Sequence, residues 1–202
     1  MPLTPSHKTG LFFGSFNPIH TGHLIIAQYM TEFTDLDSLW FMVSPQNPFK
    51  RRDQLLSGEE RLAMVEAAIE DNQSFAVSDL ELHLEKPSYT YQTLLALADK
   101  FPNHTFTLIM GADNLTSLPR WKNQQFIIDN YEIYVYPRPG EQAAHVAKQI
   151  GANIQMIDAP LIDISSTHIR EMIANGKTPR YWVPDKVLEI IYREGYYKVG
   201  VV

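Results

Sequence analysis

The sequence predicts an α/β fold in which a mostly parallel sheet carries helices on both faces. Apolar runs of strand length alternate along the chain with runs at helical spacing, which is typical of this class. The chain has 202 residues, of which 45% are hydrophobic, enough for one good-sized core. We therefore predict a single domain, 1–202, that includes a small C-terminal helical part from about residue 163.

The elements follow one another in a regular order. The predicted strands are GLFFGSF, SLWFMVS, SFAVSDLEL, TFTLIMG, YEIYVYP and NIQMID. The predicted helices between them are HLIIAQYMTEF, EERLAMVEAAIED, TYQTLLALADKF and AAHVAKQIG. Ser57 and Glu60 form a capping-box pattern, and Asn175-Gly176 is a natural stop for the helix that contains HIREMIA. A last helix, DKVLEIIYREG, completes the C-terminal part.

Composition excludes several classes of function. Cysteine is absent, which excludes disulfides, thiolate nucleophiles and thiolate metal sites. The net charge of -6 disfavours a nucleic-acid partner, because an acidic protein repels a polyanion. No apolar run approaches the roughly 20 residues that a membrane span needs, and the first ten residues lack a signal-like apolar region. We therefore expect a cytoplasmic protein with no membrane association, and the sequence leaves a homo-oligomer open.

The first strand runs into GSFNPIHTGH, which favours binding of a phosphate. Gly14 and Ser15 end the strand, and His20 and His23 open a helix. The unpaired N–H groups of a helix start attract anions, and imidazoles three residues apart can both reach a phosphate there. Charged or hydrogen-bonding histidines would stabilise the negative charge of a phosphoryl transition state. Alone, the histidine pair would more often be a surface feature or half of a metal site, but no third ligand stands near it.

A second element of this kind is IDISSTHIR. Ser165, Ser166 and Thr167 offer hydroxyl groups and amides at a helix start, and Arg170 follows one turn later. On spacing alone, an ordinary serine N-cap with a solvated arginine is the better interpretation.

Three further segments each have an ordinary explanation when taken singly. SPQNPFK, which supplies Asn47 and Lys50 and is followed by two arginines, is compatible with a basic surface loop. PSYTYQTL places Tyr89 and Thr90 before a helix, where a hydroxyl group could cap it. GADNLTSLPRW places Asp113 after a strand, where it could also be a cap, and Trp121 eight residues later.

Taken together, these segments resemble one enzyme family. GSFNPIHTGH is similar to the G-x-F-D/N-P-x-H-x-G-H signature of the nucleotidyltransferase superfamily, and ISSTHIR is similar to its I-S-S-T-x-I-R motif. The N-P-x-x-K, S-Y-T and G-x-D-N...W elements resemble those of the bacterial nicotinate mononucleotide adenylyltransferases. The resemblance covers nearly the whole chain and implies a Rossmann-like, doubly wound sheet.

The resemblance also implies an activity and a set of site residues. The expected reaction joins ATP and nicotinate mononucleotide into nicotinate adenine dinucleotide (deamido-NAD) and pyrophosphate, with Mg²⁺ accompanying the ATP and no protein metal site. The residues expected to act in catalysis are His20, His23, Lys50 and Arg170. Those expected at ATP are Gly14, Ser15, Phe16, His20, His23, Gly111, Asp113, Ile164, Ser165, Ser166 and Arg170. Those expected at the pyridine substrate are Asn47, Tyr89, Thr90, Asp113 and Trp121.

Two alternatives stay open at this point. The acceptor could be another phosphate, nicotinamide mononucleotide in the first place, since the S-Y-T element and Trp121 argue against phosphopantetheine. A non-catalytic nucleotide sensor is the alternative from a different class, and the intact histidine pair and Arg170 speak against it.

Overall fold

The computed structural model describes residues 7–45, 55–85, 87–139, 147, 151 and 153–198. The described residues form one sheet whose strands are β1 (His7–Gly14), β2 (Ser38–Val43), β3 (Phe75–Ser78), β4 (His104–Gly111), β5 (Glu132–Tyr136) and β6 (Ile154–Met156). All neighbouring strands pair in parallel, in the order β3-β2-β1-β4-β5-β6. The chain thus winds outward from β1 in one direction and then from β4 in the other, which is the predicted doubly wound arrangement.

Helices follow most of the strands. They are α1 (Thr21–Phe33), α2 (Gly58–Ile69), α3 (Leu80–His83), α4 (Thr90–Lys100), α5 (Ala112–Ser117), α6 (Gln124–Asn130), α7 (Ser166–Ala174) and α8 (Asp185–Glu194), with a 3₁₀ turn at Leu118–Arg120. The predicted capping box is present, since Ser57 Oγ accepts the Glu60 N–H and the Glu60 carboxylate accepts the Ser57 N–H. None of the described helices is long and apolar enough to cross a bilayer.

Two apolar clusters cover the two faces of the sheet. Because side chains alternate along a strand, Leu11 packs into one cluster and Phe12 into the other, and Leu108 and Ile109 divide in the same way. The first cluster includes apolar residues of α1, α2, α7 and α8, and the second includes those of α4, α5 and α6. The C-terminal helices α7 and α8 therefore pack on the same core as α1 and α2.

One predicted element differs from the structure. SFAVSDLEL was predicted as a strand, but only Phe75–Ser78 pairs with β2, and Leu80–His83 is a short helix. Ser78 Oγ accepts the Leu80 N–H and so helps the chain to leave the sheet. Most of the predicted helix AAHVAKQIG lies outside the described residues.

Candidate functional site

The two predicted phosphate-binding motifs meet at the carboxyl edge of the sheet. β1 and β4 are adjacent there, and the chain turns from them toward opposite sides of the sheet. In open parallel sheets this switch point is where ligands bind. Gly14 ends β1, and a Cβ atom at this position would lie 2.7 Å from the Phe16 ring, so the turn after the strand requires glycine.

His20 and His23 bond to each other's backbone at the start of α1. His20 is the N-cap residue, and its Nδ1 accepts the His23 N–H at 3.3 Å. The His20 N–H in turn donates to His23 Nδ1 at 3.3 Å. Since both Nδ1 atoms are acceptors, each neutral ring carries its proton on Nε2. The pair thus presents Nε2–H donors at a helix start.

The two rings are arranged for the neutral form. Their centroids lie 3.6 Å apart with an interplanar angle of 21°, a spacing at which two imidazolium charges would repel. Burial, and next the charge of Arg138, lower the pKa of His20 to about 3. Of the two forms that the sequence allowed, the structure therefore favours a hydrogen-bonding His20 over a charged one.

Phe16 holds the loop by its side chain. The residue is 1% exposed, and its ring makes edge contacts with Phe12, Phe41 and His23. Its φ of 43° lies in the left-handed region. The 1% exposure is that of the whole residue, backbone included, so Phe16 belongs to the core.

The second predicted motif is joined to the first through the backbone of the Asn17-Pro18 segment. Ser165 caps α7 by accepting the His168 N–H at 3.2 Å, while Ser166 Oγ donates to the Pro18 carbonyl oxygen at 2.9 Å. Arg170 Nη1 donates to the Asn17 carbonyl oxygen at 2.9 Å. The start of α7 therefore lies against the loop that carries the histidines, although the two segments are about 150 residues apart in the chain.

The ends of β4 and β5 add a charged pair. Asp113 stands in the first turn of α5, after Gly111, and Arg138 follows β5. Arg138 Nε lies 3.6 Å from Asp113 Oδ1, and within the described chain this buried Nε has no hydrogen-bond acceptor. Sequence reasoning missed Arg138, although it follows a predicted strand just as Asp113 does. That position was the signal that could have found it.

A pocket opens between these elements. It brings together His20, His23 and Ile164 of the predicted set with Arg138, which was not predicted, and with Gly22. A Cβ atom at Gly22 would lie 2.9 Å from Ile162 Cγ2 and 3.1 Å from His20 Nδ1. The pocket lining consists of Phe12, His20, Gly22, His23, Ile26, Tyr136, Pro137, Arg138, Ile162 and Ile164.

The residues predicted for the pyridine substrate form a second group. Tyr89 is the N-cap residue of α4, Thr90 is the first helical residue, and the Gln92 side chain reaches back to accept the Tyr89 N–H at 3.3 Å. Lys122 Nζ lies 4.6 Å from the centroid of the Tyr89 ring, which brings the Tyr89 segment next to that of Trp121. The half-buried Trp121 donates from Nε1 to Ser117 Oγ at 3.1 Å. Asn47 and Lys50 lie outside the described residues.

The donor set fits a metal ion that arrives with a nucleotide. Among the described residues there is no group of three or more His, Asp or Glu side chains that could hold a metal. Mg²⁺ usually keeps several waters and takes one or two carboxylates together with substrate phosphates. Asp113 is an exposed carboxylate at this edge of the sheet and fits that pattern.

Comparison with known proteins gives a family. The cytidylyltransferase-like family model matches residues 11–172. A protein of Cytophaga hutchinsonii is 49% identical over 94% of this chain and 98% of its own, and one of Flavobacterium johnsoniae is 48% identical over 95% and 99%. Both carry the name "Probable nicotinate-nucleotide adenylyltransferase".

Solved structures share the fold. A Plasmodium falciparum nicotinic acid mononucleotide adenylyltransferase complexed with NaAD superposes with a TM-score of 0.81 at 18% identity, covering 94% of this chain and 97% of that one. The same enzyme complexed with APC gives a TM-score of 0.80 at 17% identity, covering 95% and 97%. With the identity to the bacterial relatives, the predicted resemblance is confirmed: the chain belongs to the cytidylyltransferase-like family and, within it, to the nicotinate-nucleotide adenylyltransferases.

Proposed function

We propose that this protein transfers the adenylyl group of ATP to the phosphate of nicotinate mononucleotide, releasing pyrophosphate and forming the dinucleotide used in NAD biosynthesis. The observation that carries the proposal is the reciprocal bonding of His20 and His23, which fixes two Nε2–H donors at the switch point of the sheet. Donors fixed in advance stabilise charge that develops on a phosphoryl group without having to reorganise during the reaction.

The reaction needs positioning more than proton transfer. The nucleophile is a phosphate oxygen that is already an anion at neutral pH, so its in-line attack on the α-phosphorus requires no general base. The bond from the α-phosphorus to the bridging oxygen breaks, and that oxygen leaves with pyrophosphate. His20 and His23 would donate to the oxygens of the phosphoryl group, and Arg170, fixed on Asn17, would neutralise charge beside them. We assign Lys50 to the same task from the family motif.

Nucleotide binding would use both charged and backbone groups. The buried Nε of Arg138 lacks an acceptor within the described chain, and this suits it to a phosphate oxygen. The turn at Gly14 and Ser15 and the start of α7 at Ser165 and Ser166 would contribute amides. Ile164 and Gly111 would shape the pocket around the nucleotide.

The acceptor would bind at the start of α4. The amides at the start of α4 favour a carboxylate over a neutral carboxamide, because only the carboxylate forms charge-assisted hydrogen bonds. Lys122, above the Tyr89 ring, adds positive charge on the same side. Trp121 would stack on the pyridine ring. These contacts support nicotinate mononucleotide over its amide.

Mg²⁺ would bind to the ATP phosphates, and the Asp113 carboxylate would be its ligand from the protein. When bound, it would neutralise part of the phosphate charge. The side chains described above would then act on ATP whose phosphates already carry Mg²⁺.

The test is pyrophosphate release by the purified protein with ATP and Mg²⁺, with nicotinate mononucleotide, nicotinamide mononucleotide or phosphopantetheine as acceptor. We expect kcat/KM for the nicotinate form to exceed that for the other two by a factor on the order of 100, as a loss of charge-assisted bonds implies. Faster pyrophosphate release with another acceptor would overturn the assignment of nicotinate mononucleotide as the substrate. ATP binding without release from any acceptor would indicate a nucleotide sensor.

A further inference from the structure

Arg61 is a fully buried cation beside the proposed site. It stands in the first turn of α2, four residues after the Ser57 cap, and its exposed fraction is 0%. A charge without solvent is costly unless its hydrogen bonds are satisfied. The position therefore needs an explanation that packing alone does not give.

Backbone carbonyl groups satisfy this guanidinium. Nη1 donates to the carbonyl oxygen of Ser15 at 2.6 Å and to that of Ser44 at 2.8 Å. Nη2 donates to the carbonyl oxygen of Pro45 at 3.1 Å, and Nε to that of Leu56 at 3.0 Å. These acceptors belong to the turn after β1, the turn after β2 and the segment before α2. One side chain thus ties together three loops at the carboxyl edge of the sheet.

The pairing is not an ordinary ion pair. Within the described residues no carboxylate lies at ion-pair distance from Arg61. Burial lowers the pKa of Arg61, the direction expected for a cation taken out of water. Arginine nevertheless keeps its charge in proteins, so the four carbonyl dipoles are held by a cation.

The bond to Ser15 determines where the next amide points. The peptide between Ser15 and Phe16 is trans, since the described cis peptide bond is Asn17-Pro18. In a trans peptide the carbonyl and the N–H point in opposite directions. With the Ser15 carbonyl directed at Arg61, the Phe16 N–H is directed away from it. Phe16 also has a φ of 43°, a conformation that costs energy in a residue with a side chain and needs external support.

Ser44 extends the same arrangement to β2. Its N–H donates to the Gly14 carbonyl oxygen at 3.0 Å, while its own carbonyl accepts from Arg61. The ends of β1 and β2 are thereby fixed to each other and to α2 at the first residues beyond the ladder.

We propose that Arg61 is a positioning residue for adenylyl transfer: by holding the Ser15 and Ser44 carbonyls it fixes the turn that carries the Phe16 N–H and leads to His20. This inference rests on the proposed function. Arg61 itself touches no reacting atom. It acts through the backbone of the turn that precedes His20.

The test compares Arg61→Lys, which keeps the charge and loses the planar fork, with wild type and with a control. The control is Lys8→Met, which removes a largely buried cation that bonds to Asp35, Glu132 and Tyr134, away from the pocket. Assays run well below the melting temperature of each variant. We expect Arg61→Lys to lower kcat by a factor on the order of 100, because small misplacements of this kind are costly, with little change in the KM for nicotinate mononucleotide. Lys8→Met should lower the melting temperature and leave kcat within about twofold.

A second readout does not depend on turnover. The amide signal of Phe16 is followed by NMR as α,β-methylene ATP is added to each protein. We expect a large shift in wild type and in Lys8→Met, and a much smaller one in Arg61→Lys. If wild type binds the analogue but shows no turnover with any acceptor, the proposed function fails while this readout still tests the positioning. A kcat of Arg61→Lys within about twofold of wild type, or a Phe16 amide that does not respond in wild type, would overturn the inference.

Discussion

The rings of His20 and His23 stack with their centroids 3.6 Å apart, and each Nδ1 accepts the backbone N–H of the other residue. The two side chains therefore support each other's orientation, and the loss of either removes an acceptor from the partner's backbone. The pair acts as one unit built into the start of α1.

Replacing either ring with alanine should affect turnover more than folding. We expect His20→Ala and His23→Ala each to lower kcat by a factor on the order of 100 or more, since each removes a fixed donor from the transition state. Because the two act as a unit, the double variant should lose much less than the product of the single losses. Steady-state kinetics of the three variants measure this. His83→Ala, which removes an exposed histidine paired with Asp79, is the control. A loss of kcat in the double variant equal to the product of the two single losses would show that the two histidines act independently.

Acid should destabilise the protein through His20. Its pKa falls from 6.5 in the unfolded chain to about 3 in the fold, so the unfolded state binds a proton first as the pH drops. Stability from this group is complete above pH 6.5 and is lost between there and pH 3. When the pH is lowered from 7 to about 4.5, the free energy of unfolding should fall by about 2–3 kcal/mol more in wild type than in His20→Gln. Urea unfolding of both proteins at both pH values measures this difference. An equal fall in the free energy of unfolding in the two proteins would exclude His20 as the cause.

The alternation of apolar runs was sufficient to predict the sheet. A strand such as β1 buries side chains on both faces, Leu11 on one and Phe12 on the other, and therefore appears in the sequence as a continuous apolar run. The family resemblance predicts that ISSTHIR acts together with the histidine motif, since its spacing alone fits an ordinary serine N-cap. Arg61 could not be predicted in this way. An arginine in the first turn of an amphipathic helix is expected to face solvent, and its burial depends on three loops that meet only in the folded chain. The orientation of the His20 ring likewise depends on its contacts with His23, which form only in the folded chain.

Removing the charge of Arg138 should raise the pKa of His20. Burial is the larger cause of the low His20 pKa and Arg138 the next, so Arg138→Gln should raise that pKa while leaving it below 6.5. The same variant should raise the KM for ATP by about tenfold through loss of a phosphate donor. Proton NMR titration of the histidines gives the first result, and the His104 signal in the same spectra is an internal control. An unchanged His20 pKa would contradict the electrostatic link.

The hydroxyl group of Tyr197 should stabilise the turn that carries the histidines. It donates to Asn17 Oδ1 at 2.9 Å, and Asn17 is 4% exposed. Tyr197→Phe leaves a buried acceptor with one donor fewer, and we expect it to lower the free energy of unfolding by about 1–2 kcal/mol. Tyr192→Phe removes a hydroxyl group that bonds to Thr178 at the surface and should cost less than about 0.5 kcal/mol. Denaturant unfolding of both variants distinguishes the two sites, and equal losses would show that the Asn17 bond contributes nothing particular.

Trp121 should bind the pyridine substrate rather than ATP. The indole is half-buried, its Nε1 donates to Ser117 Oγ, and its segment lies next to Tyr89 at the start of α4. If the ring stacks on the pyridine, Trp121→Ala should raise the KM for nicotinate mononucleotide by a factor on the order of 10 while the KM for ATP stays within about twofold. Trp121→Phe keeps a stacking ring and should recover most of the loss, and Ser117→Ala, which removes only the hydrogen-bond acceptor, should resemble wild type. If Ser117→Ala reproduces the full effect, or both KM values rise together, the indole acts by holding its own segment in place.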